Sequence, residues 1–213
     1  MLFALAVALP ATAQREAQFQ TWCFDRATNE QVIEGCSAVI AADGESAEKM
    51  AQAYYTRGSA YLMSGDNKRA IDDYSEALKR QPADAMVLLS RCHVRAIVGD
   101  LQAGLADCNE SLRLAPSVPA TLGSRGLVLL KLGRFDEAIA DYDAGLKLYA
   151  KSAISLYGRG VARRRKGDVA GGDADIAAAK ATCLRRSEAA SASRRQVRAD
   201  VADLLATWGV SAP

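Results

Sequence analysis

Five cysteines, one histidine and a run of four cations are the side chains with the capacity for unusual chemistry in this sequence. Cys23, Cys36, Cys92, Cys108 and Cys183 can pair, ligate a metal or act as nucleophiles, and His93 directly follows Cys92. A structural zinc needs four converging ligands, so the Cys92-His93 adjacency does not make a metal site. No CxxC occurs, which speaks against a dithiol oxidoreductase, although Cys183 is followed by Arg185 and Arg186, which would favour its thiolate. The chain also lacks HExxH, GxSxG, GxxxxGKS/T and GxGxxG strings. With these absent and a single histidine, the sequence argues against an enzyme and calls for no cofactor.

The cationic run is Arg163-Arg164-Arg165-Lys166. It has no interleaved aromatic residues, so it reads as a solvated helix end and not as a nucleic-acid site. An anionic envelope surface, lipid or glycan, or an acidic protein partner, is the next reading. Overall the chain is nearly balanced, with 27 Lys and Arg against 25 Asp and Glu, yet residues 151–213 carry 12 basic and 6 acidic side chains. The C-terminal third is the electropositive part.

Low aromatic content (6%), five prolines and abundant alanine and leucine favour long helices over strands. A repeat organises them. Arg57, Arg91, Arg125 and Arg159 stand 34 residues apart; Gly65, Gly99, Gly133 and Gly167 keep the same phase, as do Asp73, Asp107, Asp141 and Asp175. In the first copy a helical pattern (53–63) is broken at Gly65-Asp66 and resumes (68–79) until Pro82; Pro116 recurs in the second copy, and Ala150 stands at that position in the third. Each unit is therefore a helical hairpin, and the in-phase arginine and aspartate, one on each helix, predict a recurring ion pair across it.

The pattern resembles the tetratricopeptide repeat family. The first copy carries Tyr54, Gly58, Tyr61, Ala70, Tyr74, Ala77 and Pro82 at the family's positions, and the third carries Leu122, Gly126, Leu129, Ala138 and Tyr142. The second departs at Cys92 and Cys108, and the fourth at Gly172 and Ile176. The resemblance implies an all-α right-handed solenoid with repeats at 51–84, 85–118, 119–152 and 153–186. Residues 14–50 would form an N-terminal half-repeat, including a helix over Thr28–Ile40 with a Thr28-x-x-Gln31 capping box, and 187–213 a C-terminal capping helix over Ala192–Trp208.

In the family, the first helices of successive hairpins line a concave groove for a partner's peptide or helix. That implies Tyr55, Ser59, Leu62 and Met63 from the first copy; Leu89, His93 and Ile97 from the second; Leu127, Leu130 and Lys131 from the third; and Tyr157, Val161, Arg164 and Arg165 from the fourth. The groove so drawn is apolar at its N-terminal end and basic at its C-terminal end. Tyr55, Ser59 and Ser90 stand where a carboxylate clamp would be, so that subgroup's function is not implied.

Repeat geometry also bears on the thiols. Cys92 and Cys108 fall at the positions of Gly58 and Tyr74, both facing a hairpin interior, and Cys36 falls at the tyrosine position of the half-repeat with Cys23 within reach. Cys23–Cys36 and Cys92–Cys108 are the expected disulfides, with Cys183 left free; the alternative is that Cys92 and Cys108 are reduced and merely small. Leu2–Leu9, Pro10 and Ala11-Thr12-Ala13 read as an export signal over 1–13, cleaved before Gln14, without the usual basic start. The expectation is a periplasmic or secreted, non-enzymatic interaction protein with no transmembrane segment after cleavage.

Overall fold

Five of the helices begin where a side chain takes up their unpaired amides. Ser46, Asp66, Asp84 and Ser152 each accept a hydrogen bond from a backbone N–H in the first turn that follows, and Thr28 and Gln31 form the reciprocal box expected from their spacing. Such a cap contributes about 1 kcal/mol. In the third hairpin Pro119 supplies the start instead, as first-turn proline does elsewhere. Helix ends are equally regular. Gly65, Gly99, Gly133 and Gly167 all have φ between 76° and 97°, a region that L side chains avoid. The amide after each glycine reaches back to a carbonyl five residues earlier: Asp66 to Tyr61, Asp100 to Arg95, Arg134 to Leu129 and Asp168 to Arg163.

The computed structural model describes residues 10–25, 27–42 and 44–185. Its helices are α1 (Ala11–Phe24), α2 (Asn29–Ala41), α3 (Ala47–Met63), α4 (Asn67–Arg80), α5 (Ala85–Val98), α6 (Leu101–Leu114), α7 (Pro119–Lys131), α8 (Phe135–Leu148) and α9 (Ala153–Arg165). A tenth helical run, α10, covers 169–185. No strand occurs among the described residues. Consecutive helices pair as antiparallel hairpins, and each hairpin stacks on the next.

Curvature follows from which helices touch. The first helices α1, α3, α5, α7 and α9 contact one another in succession, whereas α2, α4, α6 and α8 do not. A stack whose first helices are in contact and whose second helices are splayed is bent with the first helices on its inner side. The chain is an all-α helical repeat solenoid.

The N-terminal unit differs from expectation. Where the pattern suggests a half-repeat over 14–50, the structure has a complete hairpin, α1 on α2. The first helix escapes the pattern because its large apolar residues, Phe19, Trp22 and Phe24, all lie in its second half. Its hold on α2 is a close backbone approach: a Cβ on Gly35 would stand 2.7 Å from the Phe19 carbonyl oxygen and from Trp22 Cβ. The Cys23–Cys36 disulfide lies beside that crossing, in a small core with Val39 and Ala53. The expected cleavage point between Ala13 and Gln14 lies in the first turn of α1, and the helix from Gln14 onward keeps Phe19, Trp22 and Cys23. Helix α3 extends upstream of position 51, because Ser46, five residues ahead of it, caps the helix. The apolar run Leu2–Leu9 and the expected cap Ala192–Trp208 lie outside the described residues.

Packing inside a hairpin is a small residue opposite a large one. Gly58 faces the Tyr74 ring, where an added Cβ would lie 3.0 Å from Cδ1, and Gly126 faces Tyr142 at 2.9 Å. The second copy replaces both members: Cys92 and Cys108 are disulfide-bonded and fully buried at the same two positions. Cys183 is free and exposed.

Candidate binding groove

The Arg–Asp expectation holds in every repeat and extends further than the spacing shows. Arg57, Arg91, Arg125 and Arg159 each donate through Nε and Nη2 to both oxygens of Asp73, Asp107, Asp141 and Asp175, at 2.6–2.9 Å. The remaining nitrogen, Nη1, reaches back to the second helix of the previous hairpin, to Ser37, Ser75, Asn109 and Asp143 in turn. Each arginine thus closes its own hairpin and clips it to its neighbour. The four aspartates are buried, and their bidentate partners satisfy them. In the second and fourth copies another arginine joins, Arg95 on Asp107 and Arg163 on Asp175. These residues are absorbed by structure and are not free for a partner.

The same is true of most of the cationic run. Arg163 is held by Asp175, Arg164 by Asp173 and Lys166 by Asp136. Arg165 is the member without an anionic partner among the described residues. The sequence shows four cations in a row; folding brings carboxylates from α8 and α10 onto three of them. A dense basic patch for an anionic surface is therefore not what this segment presents.

The residues expected to line the groove divide into two sets. Leu89 is only 8% exposed, and belongs to the core between hairpins. Tyr55 and Leu62 are half-buried against the cluster around Tyr61, Tyr74 and Val94, Leu127 against Cys92 and Val128, and Leu130 against Leu129 and Ala162. Ser59 turns its hydroxyl to the Tyr55 carbonyl and to the Tyr74 hydroxyl, and Val161 is half-buried. These form the floor. Met63 (75% exposed), Ile97 (44%), His93, Tyr157, Arg164 and Arg165 stand out from it. Lys131 is exposed and donates to the Ala96 carbonyl at 2.5 Å, bridging α7 to α5. Partial desolvation by its neighbours on the face holds the His93 pKa below the usual histidine value.

Two further residues belong to this face, Met86 and Ile154, the latter 79% exposed. They share one phase of the repeat, three residues before Leu89 and Tyr157, and the 34-residue register could have found them. None of the five inner positions in the four copies is a carboxylate: they read Gln52, Tyr55, Ser59, Leu62, Met63; Met86, Leu89, His93, Ala96, Ile97; Ala120, Gly123, Leu127, Leu130, Lys131; and Ile154, Tyr157, Val161, Arg164, Arg165. What the face offers chemically is apolar contact at several points and cations toward the α9 end. No helix among the described residues is long and apolar enough to cross a membrane.

A family model described as tetratricopeptide repeat matches residues 51–84, and a second of the same description matches 124–182. No curated protein sequence matches. Among solved structures, the chain is similar to "MamA 41-end from Desulfovibrio magneticus RS-1", with 18% identity and a TM-score of 0.68 over 84% of this chain and 98% of that one. It is similar to the Arabidopsis OM64 TPR domain, with 20% identity and a TM-score of 0.54, covering 56% of this chain and 98% of that one. It is also similar to the first TPR of Spaghetti (RPAP3) bound to the HSP90 peptide SRMEEVD, with 21% identity and a TM-score of 0.53, covering 58% and 95%. At these identities the likeness is one of fold. Taken with the matched repeat models and four hairpins in strict 34-residue phase, it leads to one conclusion: residues 51–84 and 124–182 of this helical solenoid are tetratricopeptide repeats.

Proposed function

We propose that this protein is a non-enzymatic interaction module of the bacterial cell envelope, which holds a peptide or helix of a partner protein against the inner faces of α3, α5, α7 and α9. The observation that carries the reading is where apolar surface is left uncovered. Of the eleven large hydrophobic side chains exposed among the described residues, five (Met63, Met86, Ile97, Ile154 and Tyr157) stand at inner positions of the repeat. Exposed apolar side chains gathered on one concave face mark a recognition surface. A fold neighbour that carries a bound peptide supports the same reading. The envelope location rests on the short apolar run before Ala11-Thr12-Ala13 and on two buried disulfides, which persist in oxidising compartments.

The test is a cross-linked capture from envelope extracts, using the native chain beside a Met63→Glu, Ile97→Glu variant. Both side chains are exposed, so the variant should keep its helical circular dichroism. Leu62 and Leu127 are poor choices for this purpose, because each packs on a core cluster. Partners captured by the native protein and lost by the folded variant are the expected result. Equal capture by both would sink the groove reading.

A further inference from the structure

The hydroxyls of two equivalent tyrosines are treated differently. In the first hairpin, Tyr74 OH lies 3.2 Å from Ser59 Oγ, and Ser90 on α5 is a second hydroxyl neighbour. The equivalent ring in the third hairpin is Tyr142, which is 1% exposed. There Leu127 takes the place of Ser59 and Gly158 that of Ser90. Helix α9 lies so close that a Cβ on Gly158 would stand 2.4 Å from the Tyr142 oxygen, leaving no room for a side-chain partner from that position. No group among the described residues hydrogen-bonds to this hydroxyl. Burial, together with neighbouring Asp141, pushes the phenol well above its ordinary pKa, so it is a neutral O–H donor. Among the described residues the fully buried side-chain nitrogen or oxygen without a hydrogen-bond partner is Arg95 Nε, not the Tyr142 oxygen, which is therefore not fully enclosed and is open to a partner from outside the chain.

The hydroxyl ends at the groove. Ser59, the partner of Tyr74, is an inner-face residue, so the equivalent tyrosine tip reaches the inner floor between α7 and α9. Lys131 is four residues beyond Leu127 on α7, about 6 Å along the helix, and Arg165 is seven residues beyond Gly158 on α9, about 10 Å along it. Arg165 is also the cation that folding leaves without a carboxylate, and half-exposed Tyr157 adjoins Gly158. A floor donor, two cations and inner positions without carboxylates share one complement.

Resting on the groove reading above, we propose that the floor between α7 and α9 is an anchoring subsite for an Asp or Glu side chain of the partner peptide. The Tyr142 hydroxyl donates to that carboxylate while Arg165 and Lys131 balance its charge. The apolar stretch of the peptide then runs toward Ile97 and Met63.

The probe is a set of peptides selected on the native chain from a phage-displayed random 16-residue library, then synthesised with a fluorophore and titrated by anisotropy. The expected peptides are enriched in Asp or Glu beside apolar residues. Tyr142→Phe should weaken them about ten- to a hundredfold, the worth of one hydrogen bond to a charged group. Exchanging the key Glu for Gln should weaken native binding and add little more in Tyr142→Phe. The thermal midpoint of Tyr142→Phe should be unchanged or raised, because no internal bond is lost. Unchanged affinity in Tyr142→Phe, with binding abolished by Ile97→Glu, would overturn the subsite and leave the groove standing. Selected peptides without carboxylates, or a lowered midpoint in Tyr142→Phe, would also overturn it. Binding that survives both variants, or no selected binder at all, would remove the groove reading and the subsite together.

Discussion

Gly126 lies flat against the ring of Tyr142, so close that a methyl group added to the glycine would stand 2.9 Å from the ring's Cε1 and Cζ. One turn earlier on the same helix, a methyl group on Gly123 would meet nothing nearer than Ser155 Oγ at 3.7 Å. The two glycines therefore separate packing from propensity. Gly126→Ala should cost about 1–3 kcal/mol through overpacking. Gly123→Ala should be neutral or gain up to about 1 kcal/mol, the difference in helix propensity. Urea denaturation followed by circular dichroism measures both, and equal effects would refute the assignment of Gly126 as the crossing point.

The disulfide of the second hairpin can be tested by replacing chemistry with shape. Cys92→Ser with Cys108→Ser should lose about 3 kcal/mol, the usual worth of a bridge closing a loop of this size. Cys92→Gly with Cys108→Tyr recreates the pair seen in the first and third hairpins, and should recover most of that loss. Its melting temperature should respond less to a reducing agent than that of the native chain, the Cys23–Cys36 bond being the remaining target. A glycine–tyrosine variant no more stable than the serine variant would show that the bond is needed for more than filling space.

The arginine clips predict strong coupling. Arg125 is 28% exposed, while Asp141 is nearly buried. Removing the arginine alone (Arg125→Met) leaves an uncompensated buried carboxylate, at a cost of about 3–5 kcal/mol. Asp141→Asn in the same chain should return part of it. A double-mutant cycle by chemical denaturation should give a coupling of at least about 1 kcal/mol; additive losses would mean the pair is no more than a contact.

Members of the cationic run should differ sharply. Arg163 supports buried Asp175, so Arg163→Ala should lower stability by about 1 kcal/mol or more. Arg164 and Asp173 are both half-exposed, and Arg164→Ala should change stability by less than about 0.5 kcal/mol. Because three of the four cations already face carboxylates, the native chain should show little sedimentation with phosphatidylglycerol vesicles at physiological salt. Strong sedimentation, lost in Arg164→Ala with Arg165→Ala, would restore an anionic-surface role.

What could be read from the chain alone was whatever recurs. A 34-residue phase in Arg, Gly and Asp was enough for the hairpins, their turn glycines, the ion pairs and the Cys92–Cys108 pairing, because each depends on residues at fixed separation within a unit; Cys23–Cys36 was legible from the spacing of the thiols and the export signal. The full α1–α2 hairpin was missed, since its close approach at Gly35 lies outside the 34-residue phase and the large apolar residues of α1 are confined to its second half. Likewise Met86 and Ile154 went unmarked although they lie in phase, because exposure is a property of neighbours and not of residue type.

Only the tertiary structure decided which groups remain free. Leu89 and Leu62 look like Met63 in sequence, yet adjacent hairpins cover the first and half-cover the second. The four cations at 163–166 look alike until α8 and α10 bring Asp136, Asp173 and Asp175 beside three of them. Tyr74 and Tyr142 hold one position of the repeat, and the hydroxyl of only the first is satisfied, because its partners come from two different helices. Sequence determines the unit here through local periodicity; stacking determines the surface, because burial and pairing are set by residues on other helices.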